Sequence, residues 1–308
     1  MPRLIDAGEG DAWGLDDLVA GLDAADVDVR DEDAFAALGP MLARLGRNRR
    51  FLADLAIAEL KDRCEGQAAA SAYGAQVFLL RPPNGRYVLR ANFWPAREDA
   101  AVRASGTAPF FYDLPHDHNF PFLTYGYLGP GYWSDYYEAD GEADRLAGEA
   151  AGLRFAERSR LEPGKLMMYR AHRDVHVQLP PDSFSVSLNI LGYDHAQPWR
   201  TQYRFDIAAN TVADALTTTP SEALATLAVQ FGGGNGLDLA HELVRRHPSA
   251  RMRRTALDAL AAVCGTAEAR GAVFEGVLAG QALAGQAGGD PALVAHARAR
   301  LDRLRIGA

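Results

Sequence analysis

The chain has 308 residues, of which 48% are hydrophobic and 23% charged, and its formal net charge is −8 at pH 7. This length suffices for one hydrophobic core with an appended module, and the composition is that of an ordinary globular protein. The acidic balance, without a long basic run, argues against a nucleic-acid partner, which would need a lysine- and arginine-rich face to neutralise phosphates.

The N-terminus and the cysteines predict the cellular compartment. The first residues, MPRLIDAGEGDAWGLDD, are acidic and lack the apolar run of a secretory signal. No stretch reaches the roughly 18 consecutive apolar residues that cross a bilayer. Cys64 and Cys264 are far apart in the sequence and neither belongs to a C-x-x-C pair, so a disulfide framework is not expected. We therefore expect a cytoplasmic protein that does not interact with membranes.

The first of three zones, residues 1–72, predicts an N-terminal helical segment. DEDAFAALGPMLARLG begins with acidic residues, which suit the start of a helix, and then repeats apolar residues at spacings of three and four. RRFLADLAIAELKDRC continues the same pattern.

The second zone, residues 73–208, predicts a β domain. AQVFLLRPPNGRYVLRANFWP is a hairpin pattern, with Pro82, Pro83, Asn84 and Gly85 as its turn. Further short β-rich runs follow, separated by glycine, proline and aspartate: FLTYGYL, YWSDYYE, GLRFAERSRLEPG, KLMMYR, VHVQL, SFSVSLNILGY and RTQYRFDI. Many short strands at close spacing favour an antiparallel barrel or sandwich.

The third zone, residues 209–308, predicts a C-terminal helical domain. HPSARMRRTALDAL (247–260) resembles DPALVAHARARLDRL (290–304) at an offset of roughly 43 residues, which lies within the range of HEAT-type repeats. Either a helical bundle or a short HEAT-like stack fits this pattern. We expect the zone either to form a homodimer or to hold a peptide substrate. FGGGNGLDLAHEL (231–243) lacks a G-x-G-x-x-G register, so it predicts a flexible helix connection rather than a nucleotide-binding loop.

Two histidines one residue apart, in PHDHNFPFLTYGYL, are candidates for metal ligands. In an extended segment the side chains of residues i and i+2 point the same way, so His116 and His118 can present their nitrogens to one ion. The later block LEPGKLMMYRAHRDVHVQL supplies His176 at the start of a strand. Burying imidazoles among aromatic residues without a partner is unfavourable, and a metal removes that penalty.

These motifs resemble those of the cupin superfamily over about residues 73–208. The correspondence is His116 and His118 for H-x-H, Gly126 or Gly129 for the later glycine, Pro163-Gly164 for the turn, and His176 for the third histidine. The resemblance implies an α+β protein: an antiparallel, cupin-like β-barrel flanked by N- and C-terminal helical segments. It also implies one mononuclear metal in the barrel.

The chain departs from the cupin pattern where a glutamate ligand is usual, because Phe122 and Leu123 stand there. If FLTYGYL and YWSDYYE form a hairpin, Phe122 faces Glu138, which would then restore a carboxylate to the site. Otherwise the ligands are three histidines, as in thiol dioxygenases. His172 is an alternative to His176, although His176 begins a clear strand and His172 does not.

The ligand set predicts the metal and the reaction class. Imidazole suits Fe, Zn, Mn, Ni and Cu, and we expect Fe(II). Three neutral histidines leave positions for a substrate and O₂, so we predict an iron oxygenase or dioxygenase that acts on a small molecule or a peptide. One alternative is a 2-oxoglutarate-dependent hydroxylase, although such an enzyme normally has a carboxylate ligand where His118 stands. The others are a non-catalytic metal- or ligand-binding cupin and a zinc or manganese isomerase.

Four further residues, with Glu138, complete the predicted site. Arg90, Arg158 and Arg170 are in or beside predicted strands and are candidates to pair with a substrate carboxylate. Tyr136 has the strand parity of Glu138, and both are predicted to be catalytic, Tyr136 as a hydroxyl that reaches bound oxygen.

Overall fold

The structure is a computed structural model that describes residues 1–70, 74, 76–141, 144–280 and 290–306. The chain divides into two units. The first comprises Met1–Ala143, Ala147–Gln197 and Gln202–Asp214, and the second comprises Asp144–Leu146, Pro198–Thr201 and Ala215–Ala308.

The first unit combines helices with antiparallel strands. Its helices are α1 (Leu15–Ala24), α2 (Glu32–Ala36), α3 (Gly39–Arg47), α4 (Phe51–Lys61), α5 (Glu65–Ala70) and α6 (Ala100–Ser105). Its strands are β1 (Arg3–Ile5), β2 (Val77–Arg81), β3 (Tyr87–Trp94), β4 (Phe122–Leu128), β5 (Trp133–Glu138), β6 (Arg154–Arg160), β7 (Leu166–Tyr169), β8 (Asp174–Leu179), β9 (Ser185–Gly192), β10 (Tyr203–Asp206) and β11 (Thr211–Ala215).

The strands form three sheets. A six-stranded sheet has the order β1-β7-β4-β9-β3-β2, a three-stranded sheet the order β6-β5-β8, and a two-stranded sheet the order β10-β11. The mixed helix and antiparallel-sheet class that the sequence predicts is therefore present. The predicted closed barrel is absent from the described residues, because their strands form these three separate sheets.

The central strands of the six-stranded sheet are buried on both faces. In β7, Leu166 and Met168 pack into a core shared with the N-terminal helices, whereas Met167 and Tyr169 pack into a second core on the opposite face. A strand with both faces covered is apolar along its whole length, which explains why LMMY shows no polar alternation. The N-terminal helices thus complete the core of the β domain.

The second core lies between the six-stranded and three-stranded sheets. Tyr136 of β5 packs here with Met167, Tyr169 and Phe122. The Tyr136 and Tyr169 hydroxyls are hydrogen-bonded at 2.9 Å, which satisfies two polar groups that burial would otherwise leave unpaired. The candidate site lies beside this aromatic core.

The second unit is built mainly from helices α7 (Pro220–Phe231), α8 (Gly233–Arg246), α9 (Ala250–Ala262), α10 (Ala267–Leu278) and α11 (Pro291–Ile306). Its own apolar core includes Leu257, Leu260, Phe274 and Leu293. Ser249 and Thr266 cap the starts of α9 and α10 by accepting backbone N–H bonds. The two similar sequence segments correspond to α9 and α11. Within the described residues, none of the helices combines the length and apolar content needed to span a membrane.

Most predicted strands are present, including the β2–β3 hairpin, but four local predictions are wrong. Strand β1 lies in the zone expected to be helical, and β11 extends the β region beyond residue 208. The hairpin of β4 with β5 is also wrong, since β4 pairs with β7 and β9 whereas β5 pairs with β6 and β8. The glycine run that begins at Gly233 forms the first turn of α8 instead of a flexible connection.

Candidate metal centre

Backbone pairing brings the histidines together. Residues 115–119 lie against β8, where the His116 N–H donates to the His176 carbonyl and the His176 N–H donates to the His116 carbonyl, both at 3.0 Å. Residues that exchange two such bonds face each other across an antiparallel pair, and their side chains project to the same side. His118, two residues further along the extended segment, projects to that side as well.

The three imidazoles converge through their Nε2 atoms. His176 Nε2 lies 3.2 Å from His116 Nε2 and 3.1 Å from His118 Nε2. One ligand atom from each of the three residues lies within 4.8 Å of the others. Two nitrogens bound about 2.1 Å from one ion at a right angle are about 3.0 Å apart. The spacing therefore fits a group that could hold a single divalent metal.

The electrostatics of the site also suit metal ligation. Burial lowers the pKa of His116, and it lowers the pKa values of His118 and His176 well below the ordinary value. All three rings are therefore neutral near pH 7, and a metal needs the lone pair of a neutral imidazole. His116 Nδ1 donates to the Leu114 carbonyl at 2.8 Å, which leaves its Nε2 as the free acceptor.

A cavity of about 270 Å³ opens onto two of the ligands, His116 and His118. The wall is partly aromatic and partly polar, and its other residues are Gly74, Gln76, Val77, Arg90, Asn92, Trp94, Pro109, Phe111, Phe120, Gln178 and Gln202. This volume is slightly below the range of drug-sized ligand pockets, so the cavity suits a small molecule.

The polar part of the cavity wall contains one positive charge and two amide oxygens that could accept hydrogen bonds from a ligand. Arg90 is near enough for its positive charge to contribute, after burial and the neighbouring imidazoles, to the lowered pKa of His118. Among the described residues, Asn92 Oδ1 and Gln178 Oε1 are buried without a hydrogen-bond donor. A buried acceptor without a donor is unfavourable, so a ligand with a negative group and N–H or O–H donors would complement this wall.

Tyr136 lies beside the histidines but is fully buried in the adjoining core. It is the cross-strand partner of His176, and the two ring centroids are 6.4 Å apart. Burial raises the pKa of Tyr136 to about 12, so its hydroxyl is protonated at neutral pH. Its hydrogen bond to the Tyr169 hydroxyl makes it part of the packing around His176.

Glu138 and Arg170 form an ion pair with each other. Arg170 Nη2 donates to Glu138 Oε1 at 3.1 Å and to Asp174 Oδ1 at 2.7 Å. The hydrogen bond from Arg170, the largest cause, lowers the pKa of Glu138. In the described part of the chain Glu138 is not a member of the metal-ligand group, which consists of three histidines.

Arg158 and His172 also have other partners. Arg158 Nη2 donates to Asp135 Oδ2 at 2.7 Å, and its side chain is 56% exposed. His172 Nδ1 is hydrogen-bonded at 2.9 Å to Asp117 Oδ2. Of the three predicted arginines, only Arg90 lines the cavity beside the histidines.

Sequence reasoning did not identify Asn92, Trp94, Gln178 or Asp117. The first three could have been found from the sequence, because residues two apart in a strand point to the same face. Asn92 and Trp94 are two and four residues from Arg90, and Gln178 is two residues from His176. Asp117 is different, because its partner His172 is 55 residues distant and no local pattern indicates the pairing.

Comparison with known proteins gives only weak likenesses. No protein-family model and no curated protein matches the sequence. Among solved structures, the chain is similar to the DMSP lyase DddQ from Ruegeria pomeroyi DSS-3, with 11% identity over 63% of this chain and 79% of that chain, and a TM-score of 0.25. It is also similar to a chain from the structures of the DMSP lyases RdDddP and RnDddQII, with 13% identity over 62% and 78% of the two chains and a TM-score of 0.24.

Proposed function

We propose that this chain is a cupin-like mononuclear metalloenzyme, an oxygenase that binds Fe(II) through His116, His118 and His176 and acts on a small anionic molecule. The observation that carries the proposal is the convergence of three buried imidazoles, two of which, His116 and His118, line a cavity. A buried cluster of three imidazoles with their acceptor nitrogens 3.1 and 3.2 Å apart is unfavourable unless a cation or a proton lies between them.

The donor set favours an oxygenase that needs no 2-oxoglutarate. Three neutral ligands would leave the full charge of a divalent ion to attract an anionic substrate, and iron held by these histidines would supply the redox chemistry of an oxygenase. The usual 2-oxoglutarate site includes a carboxylate ligand. Asp117, which lies between His116 and His118 in the sequence, directs its two oxygens to His172 and to the Tyr203 N–H.

The cavity residues support a proposal for the substrate class. We propose that Arg90 pairs with a carboxylate and that Asn92 and Gln178 accept from a hydroxyl or amino group. The rings of Trp94, Phe111 and Phe120 would cover the apolar part of the substrate and exclude water. A volume of about 270 Å³ favours a small hydroxy or amino acid over a peptide.

The first experiment is metal analysis of the full chain purified without added chelator, followed by anaerobic loading with Fe(II). We expect one iron per chain in the wild type and loss of iron in His116→Ala and His176→Ala. His195→Ala is the matched control, since His195 is exposed. Binding of no metal by the wild-type chain would contradict the proposal.

The second experiment measures O₂ uptake by the iron-loaded chain with a panel of small hydroxy and amino acids. We expect uptake that depends on one member of the panel and that is lost in His118→Ala. Turnover with zinc or manganese and without O₂ uptake would show a non-redox isomerase or lyase instead.

A further inference from the structure

The candidate ligands are held unequally. His116 is anchored through Nδ1 to the Leu114 carbonyl. Among the described residues, the Nδ1 atoms of His118 and His176 are buried without a hydrogen-bond partner. Metal-binding histidines are usually oriented by a bond from the nitrogen that faces away from the metal. His118 and His176 are therefore held by the aromatic rings packed against them, Phe122 and Tyr169, and by the backbone that carries them.

Asp117 lies between the two histidines in the sequence and projects from the other side of the extended segment. It is 1% exposed, and both of its oxygens are used. Oδ2 is hydrogen-bonded to His172 Nδ1 at 2.9 Å, and Oδ1 accepts the Tyr203 N–H at 2.6 Å. A carboxylate is buried without great penalty only when it is bonded in this way.

His172 is the other half of the pair. It is 5% exposed and lies in the turn between β7 and β8. Its backbone N–H donates to the His118 carbonyl at 2.9 Å. Its φ is +58°, in the left-handed region, where histidine, like asparagine and aspartate, is found more often than most other residues with a side chain. Contacts on both the backbone and the side chain of His172 thus hold this turn.

We propose that Asp117 and His172 are positioning residues for the metal site. The pair joins the segment that carries His116 and His118 to the turn that leads, four residues later, to His176. It therefore fixes the relative placement of all three ligands from the side facing away from the metal. This inference rests on the proposed metal site, and it assigns to His172 a role different from that of a ligand.

The test uses the full chain loaded with Co(II), whose visible absorption reports the geometry of its ligands. His172→Ala removes the donor to Asp117, whereas His172→Asn keeps a donor near the position of Nδ1 and tolerates the left-handed backbone. We expect His172→Ala and Asp117→Asn to weaken cobalt binding by about 10- to 100-fold and to change the absorption bands. His172→Asn should retain most of the affinity and the wild-type bands.

A matched control exists in the second unit, where His296 Nε2 is hydrogen-bonded at 2.8 Å to Asp258. Asp258→Asn removes the charge of a similar aspartate–histidine pair and should leave cobalt binding unchanged. The unfolding temperature of each metal-free variant, measured in chelator, separates a loss of stability from a loss of ligand placement.

The possible results separate the alternatives. Loss of cobalt binding in His172→Asn as complete as in His116→Ala would make His172 a ligand and overturn the positioning role. Wild-type affinity and bands in both His172→Ala and Asp117→Asn, with only a lower unfolding temperature, would overturn it as well. A wild-type chain that binds no cobalt would overturn the metal site itself, and this inference with it.

Discussion

Three buried imidazoles whose nitrogens lie this close together cannot all be in the cationic, doubly protonated form. In the unfolded chain each has the ordinary pKa of about 6.5, whereas burial lowers the pKa of each in the folded chain. Between the folded and unfolded pKa values, the unfolded state binds more protons. Acid therefore favours unfolding, and the contribution of these residues to stability is fully present only above the unfolded pKa.

The first prediction at the scale of residues follows from the direction of these pKa shifts. The free energy of unfolding of the metal-free chain should decrease as the pH falls below about 6.5, with a slope of at most about 1.4 kcal/mol per pH unit for each histidine. Urea unfolding at several pH values in the presence of chelator measures the slope. His176→Gln should reduce it and His195→Ala should not. A stability that is constant between pH 5 and pH 7 would contradict the burial of neutral rings.

The second residue-scale prediction concerns Arg90. Arg90→Leu should weaken the binding of a small carboxylate, for example acetate, to the cobalt-loaded chain by about 10- to 100-fold, because a hydrogen bond to a charged group contributes about 1.5–3 kcal/mol. The change in visible absorption on titration measures the affinity. Arg158→Leu is the matched control, since Arg158 is paired with Asp135 on β5. Equal losses in both variants would refute a specific role for Arg90.

At the scale of elements, the contact between α3 and β4 joins the N-terminal helices to the six-stranded sheet. A methyl group added to Gly46 in α3 would lie 2.1 Å from Cε1 of Tyr125 in β4. A methyl group added to Gly39 in the same helix would lie 2.8 Å from Leu166 of β7. Glycine at these two positions allows the helix to approach the strands closely, so the helix lies directly on the sheet.

Paired glycine substitutions test this contact. Gly46→Ala should destabilise the chain by about 1–3 kcal/mol, because the side chain of Tyr125 must move within a packed core. Gly276 in α10 has open space around it, so Gly276→Ala should stabilise its helix by about 0.5–1 kcal/mol. Calorimetry of both variants measures the changes. A neutral Gly46→Ala would show that α3 does not pack on β4 as described.

At the scale of the whole molecule, metal binding and folding are linked. A ligand that binds only the folded state stabilises it, by about 2.7 kcal/mol when its free concentration is 100 times the dissociation constant. Addition of Co(II) should therefore raise the unfolding temperature of the wild-type chain, and the increase should be absent in His176→Ala. An equal increase in both chains would indicate binding elsewhere. The expected homodimer through the helical segments stays a prediction, which light scattering of the full chain would test.

The sequence by itself was sufficient for features that depend on local periodicity. His116 and His118 were identified by their spacing, His176 by its place in a β-rich run, and most strands by short apolar runs between turns. The strand β1, three residues long, was missed because its partner strand β7 is distant in the sequence. The strand β11 was missed because its short run TVADA has no strong β pattern.

Only the tertiary structure decided which strands pair and which polar residues meet. Glu138 was assigned to the site by assuming that consecutive strands form a hairpin, yet β4 and β5 belong to different sheets, and Glu138 meets Arg170 instead. The choice between His176 and His172, and the pairing of His172 with Asp117, likewise depend on contacts between residues more than 50 positions apart. Spacing along a chain determines which way a side chain points, whereas the folding of distant segments against each other determines what it touches.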